Sequence, residues 1–206
     1  VELKNYMAFV DNIFFCFKFV SDYSLFMIKR KEIILDNATK LFATEGFDHV
    51  STKRIAEEAG VSEGLVFRHY VSKEGLLKAI LEKGLAQIAD TLKPMTELGE
   101  KDNAIDLHLK LTAEALKTHT IFWQLVHSLR FNPRVGQLLG KEMEQGRAMI
   151  TDLLRNYFKR IGRANPKNEA QLYFAIVDGI ALQYLENPDT YPLADVIKQL
   201  KKHYNE

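Results

Sequence analysis

Residues 51–74 read STKRIAEEAGVSEGLVFRHYVSKE, a stretch too polar for a core and too regular for a loop. Ile55, Ala56 and Ala59 share one face of a short helix, and Leu65, Val66 and Phe67 lie in a second. Gly60 stands where the chain must reverse between them. Ser51 or Thr52 can cap the first helix, Ser62 the second, and Ser72 a helix that follows. Glu63 and Glu74 fall in first turns, where the helix dipole favours negative charge. Two short helices joined through a glycine turn make a helix-turn-helix. Ala56 is small where the helices cross, and Ile55, Val61 and Val66 can fill the core between them. Lys53, Arg54, Glu63, Gly64, Arg68, His69 and Lys73 are left outside. A short second helix with small residues near its start can enter a DNA major groove, while basic residues at its flanks meet phosphates.

Helical period continues on both sides. In residues 29–45 the positions Ile34, Ala38, Leu41 and Phe42 form one face, and Gly46 supplies a stop. After Ser72 the stripe is Leu76, Leu77, Ile80, Leu81, Leu85 and Ile88. Pro94 and Gly99 interrupt the pattern, and the spacing then predicts helices over 102–118, 120–130, 133–161, 167–186 and 192–204. Asn132-Pro133, Asn165-Pro166 and Asn187-Pro188 punctuate them, and no alternating strand-length run intervenes. The expected fold is all-α, with a three-helix DNA-binding domain at residues 29–71 and a larger helical body at residues 72–206.

Net charge is only +1, so any affinity for nucleic acid has to come from local basic clusters. A single cysteine, Cys16, rules out an internal disulfide and a Cys-rich metal site, and is compatible with a reducing cytoplasm. Residues 1–28 stand apart as an N-terminal extension rich in phenylalanine. Asp11, Lys18 and Asp22 cut its apolar run into pieces far shorter than the ~20 residues of a spanning helix. Three readings stay open for it: an extra amphipathic helix, a membrane-surface segment, or an upstream extension that is non-native or disordered, with Met27 the true start. Phosphate-cradling glycine loops, G-x-S-x-G and H-E-x-x-H are absent, so no catalytic residues, no cofactor and no enzymatic activity are expected. His108, His119 and His127 lack the partners that would complete a metal site.

The stretch ATKLFATEGFDHVSTKRIAEEAGVSEGLVFRHYVSKEGLL, residues 38–77, resembles the N-terminal domain of the TetR family of bacterial transcriptional regulators. The resemblance runs over residues 29–77, about a quarter of the chain. It implies a cytoplasmic, ligand-responsive regulator, a repressor released from double-stranded operator DNA by a hydrophobic small molecule. Carried over, the DNA-contacting positions are Thr52, Lys53, Glu63, Gly64, Leu65, Phe67, Arg68, His69 and Lys73. Phe67 departs from the family's usual tyrosine and has no hydroxyl to offer a phosphate. Lys29, Arg30 and Lys31 can reach the phosphate backbone or minor groove or stay solvated, whereas Lys78 and Lys83 are read as solvated. The alternative to DNA binding is a helical protein-interaction module built on the same fold.

The body offers two further expectations. Phe122, Trp123, His127, Phe131, Met143, Met149, Tyr173 and Phe174 are either helix core or, as the resemblance implies, the wall of an effector cavity. LYFAIVDGIALQYL, residues 172–185, is apolar on all sides, so a monomer would leave one side in water. With the stripe Leu193, Ile197, Leu200 and Tyr204 it predicts a two-fold homodimer built on Tyr173, Ile176, Val177, Ile180, Tyr184 and that stripe. The competing arrangement has helix 192–204 cover residues 172–185 within one chain.

Overall fold

The computed structural model describes residues 29–205, apart from the side chains at 134–136, 138, 139, 142 and 205. The N-terminal extension and Cys16 lie outside the described residues.

Helix α1 runs through residues 29–45. It is followed by α2 (Thr52–Glu58), α3 (Glu63–Tyr70), α4 (Lys73–Leu92) and a short 3-10 helix at Lys93–Glu97. Then come α5 (Ala104–Thr118), α6 (Thr120–Ser128), α7 (Pro133–Arg160), α8 (Pro166–Glu186) and α9 (Leu193–Asn205). No strand occurs among the described residues, so the all-α expectation holds for them. The break read at Pro94 is present: α4 ends at Leu92, and Pro94 sits in the first turn of the 3-10 helix, where proline forfeits only an N–H that would be unpaired anyway.

The described residues divide into two compact units, one with residues 29–38 and 51–76, the other with residues 39–50 and 77–205. In the first, α2 packs on α3. Its buried side chains are Ile34, Leu35, Ala38, Ile55, Ala56, Val66, Tyr70 and Leu76. The Tyr70 hydroxyl donates to the Lys31 carbonyl at 3.0 Å and fastens α3 to α1.

In the second unit α7 lies along α8, and α5 touches α6, α7, α8 and α9. Its core joins Leu109, Leu154, Phe158, Tyr173, Val177, Tyr184, Leu193, Ile197, Leu200 and Tyr204. Tyr173, Phe158 and Tyr204 meet edge to face or tilted, with ring centroids 5.2 to 6.2 Å apart. Such pairs add to the stabilisation already gained from burying their area. His108 is buried beside them, and its Nδ1 shares a hydrogen bond of 3.0 Å with the Tyr173 hydroxyl.

This core corrects part of the interface expectation. Tyr173, Val177, Tyr184, Leu193, Ile197, Leu200 and Tyr204 are all buried within their own chain, in the core that α5, α7, α8 and α9 share. Ile176 and Ile180 are only partly covered. The apolar surface left on α8 is a different face, with Leu172 56% and Leu182 42% exposed.

Candidate functional site

The geometry of the helix-turn-helix is set by short-range polar contacts. Ser51 caps α2 by accepting from the Arg54 N–H at 3.1 Å. Ser62 caps α3 by accepting from the Leu65 N–H at 3.3 Å. Gly60 takes φ +62 between them, and the Val61 N–H reaches back to the Ala56 carbonyl at 2.9 Å. A left-handed residue here lets the chain reverse within three residues, and glycine does so without steric cost.

The joint between α3 and α4 is tighter. Val71 has φ 63 and ψ −43, and the Ser72 N–H donates to the Tyr70 carbonyl at 2.6 Å. These are the marks of the rare, strained γ-turn with positive φ, here centred on a β-branched residue. Ser72 then accepts from the Gly75 N–H at 3.0 Å. A methyl group on Gly75 would overlap the Tyr70 carbonyl oxygen, so only glycine permits this approach.

The structure places the expected DNA-contacting residues as follows. Lys53, Gly64, Phe67 and Arg68 are exposed, and Leu65, His69 and Lys73 are half-buried. Phe67 keeps 45% of its surface in solvent, unusual for so large an apolar ring. Thr52 and Glu63 are half-buried and bonded to each other, Thr52 Oγ1 donating to Glu63 Oε1 at 2.6 Å. That pairing joins the first residue of α2 to the first residue of α3, and periodicity carries no sign of it. Arg54 is held by Glu58 at 2.7 Å. The His69 ring has Nε2 buried with no hydrogen-bond partner. Burial, with Lys31 and Arg68 nearby, lowers its pKa below the ordinary histidine value.

In the second unit, the structure brings together only part of the expected cavity wall. Trp123 lies between Phe122 and His127, with ring centroids 6.0 and 6.5 Å away. Phe122 is buried against Gly84 of α4, where any side chain would collide with its ring. Trp123 is half-buried, and its indole N–H is enclosed without a hydrogen-bond partner. Burial, outweighing Asp178, lowers the pKa of His127. Phe131 is not part of this group: α6 ends at Ser128, and the ring stands 90% exposed. Met149 is 44% exposed, Met143 and Phe174 are half-buried, and Tyr173 belongs to the core. An open groove of about 580 Å³ lies elsewhere, among Pro94, Leu98, Asp102, Asp106, Lys110 and Lys201, and touches none of the expected wall residues. Among the described residues no cluster of histidine, cysteine and carboxylates could hold a metal ion, and no helix is long and apolar enough to cross a membrane.

A capped α2, a glycine reversal and a short α3 with one face outward define a helix-turn-helix protein, the class in which the second helix meets the DNA groove. Within that class, residues 34–80 match the family model described as bacterial regulatory proteins, tetR family. The chain is similar to the HTH-type transcriptional regulator UidR of Escherichia coli K12, 28% identical over 110 residues, or 52% of this chain. That match spans 55% of the length of UidR. It is also similar to the HTH-type transcriptional regulator BetI 2 of Chromohalobacter salexigens, 25% identical over 195 residues, covering 86% of this chain and 90% of the relative. In fold it resembles a transcriptional regulator of Pseudomonas aeruginosa PAO1, with a TM-score of 0.68, 20% identity, and 86% and 89% of the two chains covered.

Proposed function

We propose that this chain is a cytoplasmic DNA-binding transcriptional regulator, a repressor whose hold on a palindromic operator is weakened by a small-molecule effector. The observation that carries the reading is the outward face of the helix-turn-helix. Lys53, Gly64, Phe67 and Arg68 are exposed on helices whose angle is fixed by two caps, a glycine reversal and the Tyr70 tether. Their cations suit phosphates, and the small start of α3 suits a groove.

Two-fold pairing supplies the second recognition helix that a palindrome requires. The α8 face carrying Leu172, Ile176, Gly179 and Leu182 fits that role, since Leu172 and Leu182 are exposed and no atom crowds Gly179. The effector is an apolar molecule with a hydrogen-bond acceptor, seated by Phe122, Trp123 and His127, where the indole N–H lacks a partner. Its action is linkage: if it binds better to a state with mis-spaced recognition helices, it weakens DNA binding by the factor by which DNA weakens its own.

Selection of bound duplexes from random DNA tests the reading. A palindromic site should emerge, with loss of affinity in Arg68→Ala. A chain that retains no duplex would refute DNA binding, and a chain that sediments as a monomer at micromolar concentration would refute the pairing.

A further inference from the structure

The first residue of α3 is acidic, on a face otherwise suited to a polyanion. A carboxylate there repels phosphates and needs a different counterpart. Glu63 is half-buried, and the Thr52 hydroxyl holds its Oε1 at 2.6 Å. That charge-assisted bond orients the carboxylate and leaves its remaining acceptor sites open. The next residue adds no bulk: Gly64 is exposed, with no atom within 4 Å of the place a Cβ would occupy.

In a helix-turn-helix the N-terminal residues of the second helix meet base edges in the major groove. A carboxylate can only accept there. Guanine presents acceptors, thymine an acceptor and a methyl group, and adenine a donor beside an acceptor. Cytosine presents its amino donor alone, so it is the base edge that a fixed carboxylate favours most. We propose that Glu63, oriented by Thr52, is a specificity-determining residue that accepts a hydrogen bond from a cytosine amino group in each operator half-site. The inference rests on the DNA-binding reading above. Thr52 is a positioning residue: it acts on the base through the carboxylate it holds.

The test is selection from random duplex DNA with the full chain, for wild type, Glu63→Gln and Thr52→Val. The wild type should enrich a half-site with one position at which cytosine is preferred by roughly tenfold or more. Glu63→Gln should move that preference to adenine, whose donor and acceptor pair with an amide, and leave the other positions unchanged. Thr52→Val should keep cytosine but weaken the preference. Removing the carboxylate charge should also tighten binding to random-sequence DNA. The wild-type chain alone provides a check that does not depend on a variant folding: changing that C·G pair to T·A in the selected site should weaken binding by about tenfold. An enriched site with no cytosine-dependent position, or one whose cytosine preference survives Glu63→Gln unchanged, overturns the inference and leaves DNA binding standing. A wild-type chain that retains no duplex DNA overturns the DNA-binding reading itself, and the inference with it.

Discussion

Where the helix-turn-helix unit buries aliphatic side chains and one tyrosine, the body buries a stack of aromatic rings around Phe158, Tyr173 and Tyr204. The small unit has little apolar area with which to set an angle. Its geometry rests on single atoms: the Ser51, Ser62 and Ser72 hydroxyls, the Tyr70 hydroxyl and the missing side chain of Gly75. The body has area to spare and fixes its helices by packing. Damage should therefore show differently in the two: as lost stability in the body, and as lost geometry in the helix-turn-helix.

The largest expected loss is in the body. Phe158→Ala removes a ring with no exposed surface and should cost about 3–5 kcal/mol, measured by urea denaturation. A cost below about 1 kcal/mol would mean that the rings can re-pack, and the contrast would fail. The next also belongs to the body and depends on pH. Burial lowers the pKa of His108 to about 4, so it stays neutral in the folded chain while the unfolded chain takes up a proton near pH 6.5. Below that pH the unfolded state binds more protons, so stability is full above pH 6.5 and falls down to about pH 4. The total is on the order of 3 kcal/mol. His108→Gln, which keeps a hydrogen-bonding group beside Tyr173 but cannot titrate, should flatten the slope of denaturation midpoint against pH over that range.

Smaller again is Gly75→Ala, which drives a methyl group into the Tyr70 carbonyl and should cost about 1–3 kcal/mol. Its effect on operator affinity should exceed what the lost stability explains, since it shifts α3 against α4. Equal losses in melting and binding would erase the distinction between the units. Last, Arg68→Ala should leave stability within about 0.5 kcal/mol, because the side chain is exposed. If it meets a phosphate, it should reduce the salt dependence of DNA binding by about one unit of slope.

What could be read in advance follows the same division. Serine caps, the Gly60 reversal and the helical stripes are local features, so α2, α3 and their turn could be placed from neighbouring residues. Which partner covers an apolar face is not local. The stripe Leu193, Ile197, Leu200 and Tyr204 has the right period for a helix, but period does not say whether Tyr204 meets its own Tyr173 or a second chain. Phe131 shows another limit: the apolar run continues past the point where α6 stops, and the ring is left in solvent. At the candidate site, the Thr52–Glu63 bond joins residues eleven apart across a turn, and no spacing rule announces it.

Val71 has a consequence in the terms of heredity. Its backbone is left-handed at φ 63, while its side chain is 83% exposed, so no core holds the valine there. A β-branched residue in that conformation costs about 1–2 kcal/mol, which glycine would not incur. Valine and glycine codons differ by a single base. Position 71, the C-cap of α3, is therefore one nucleotide away from a relaxed joint, and a lineage could cross that step in either direction without altering a core residue or the backbone N–H that closes the helix.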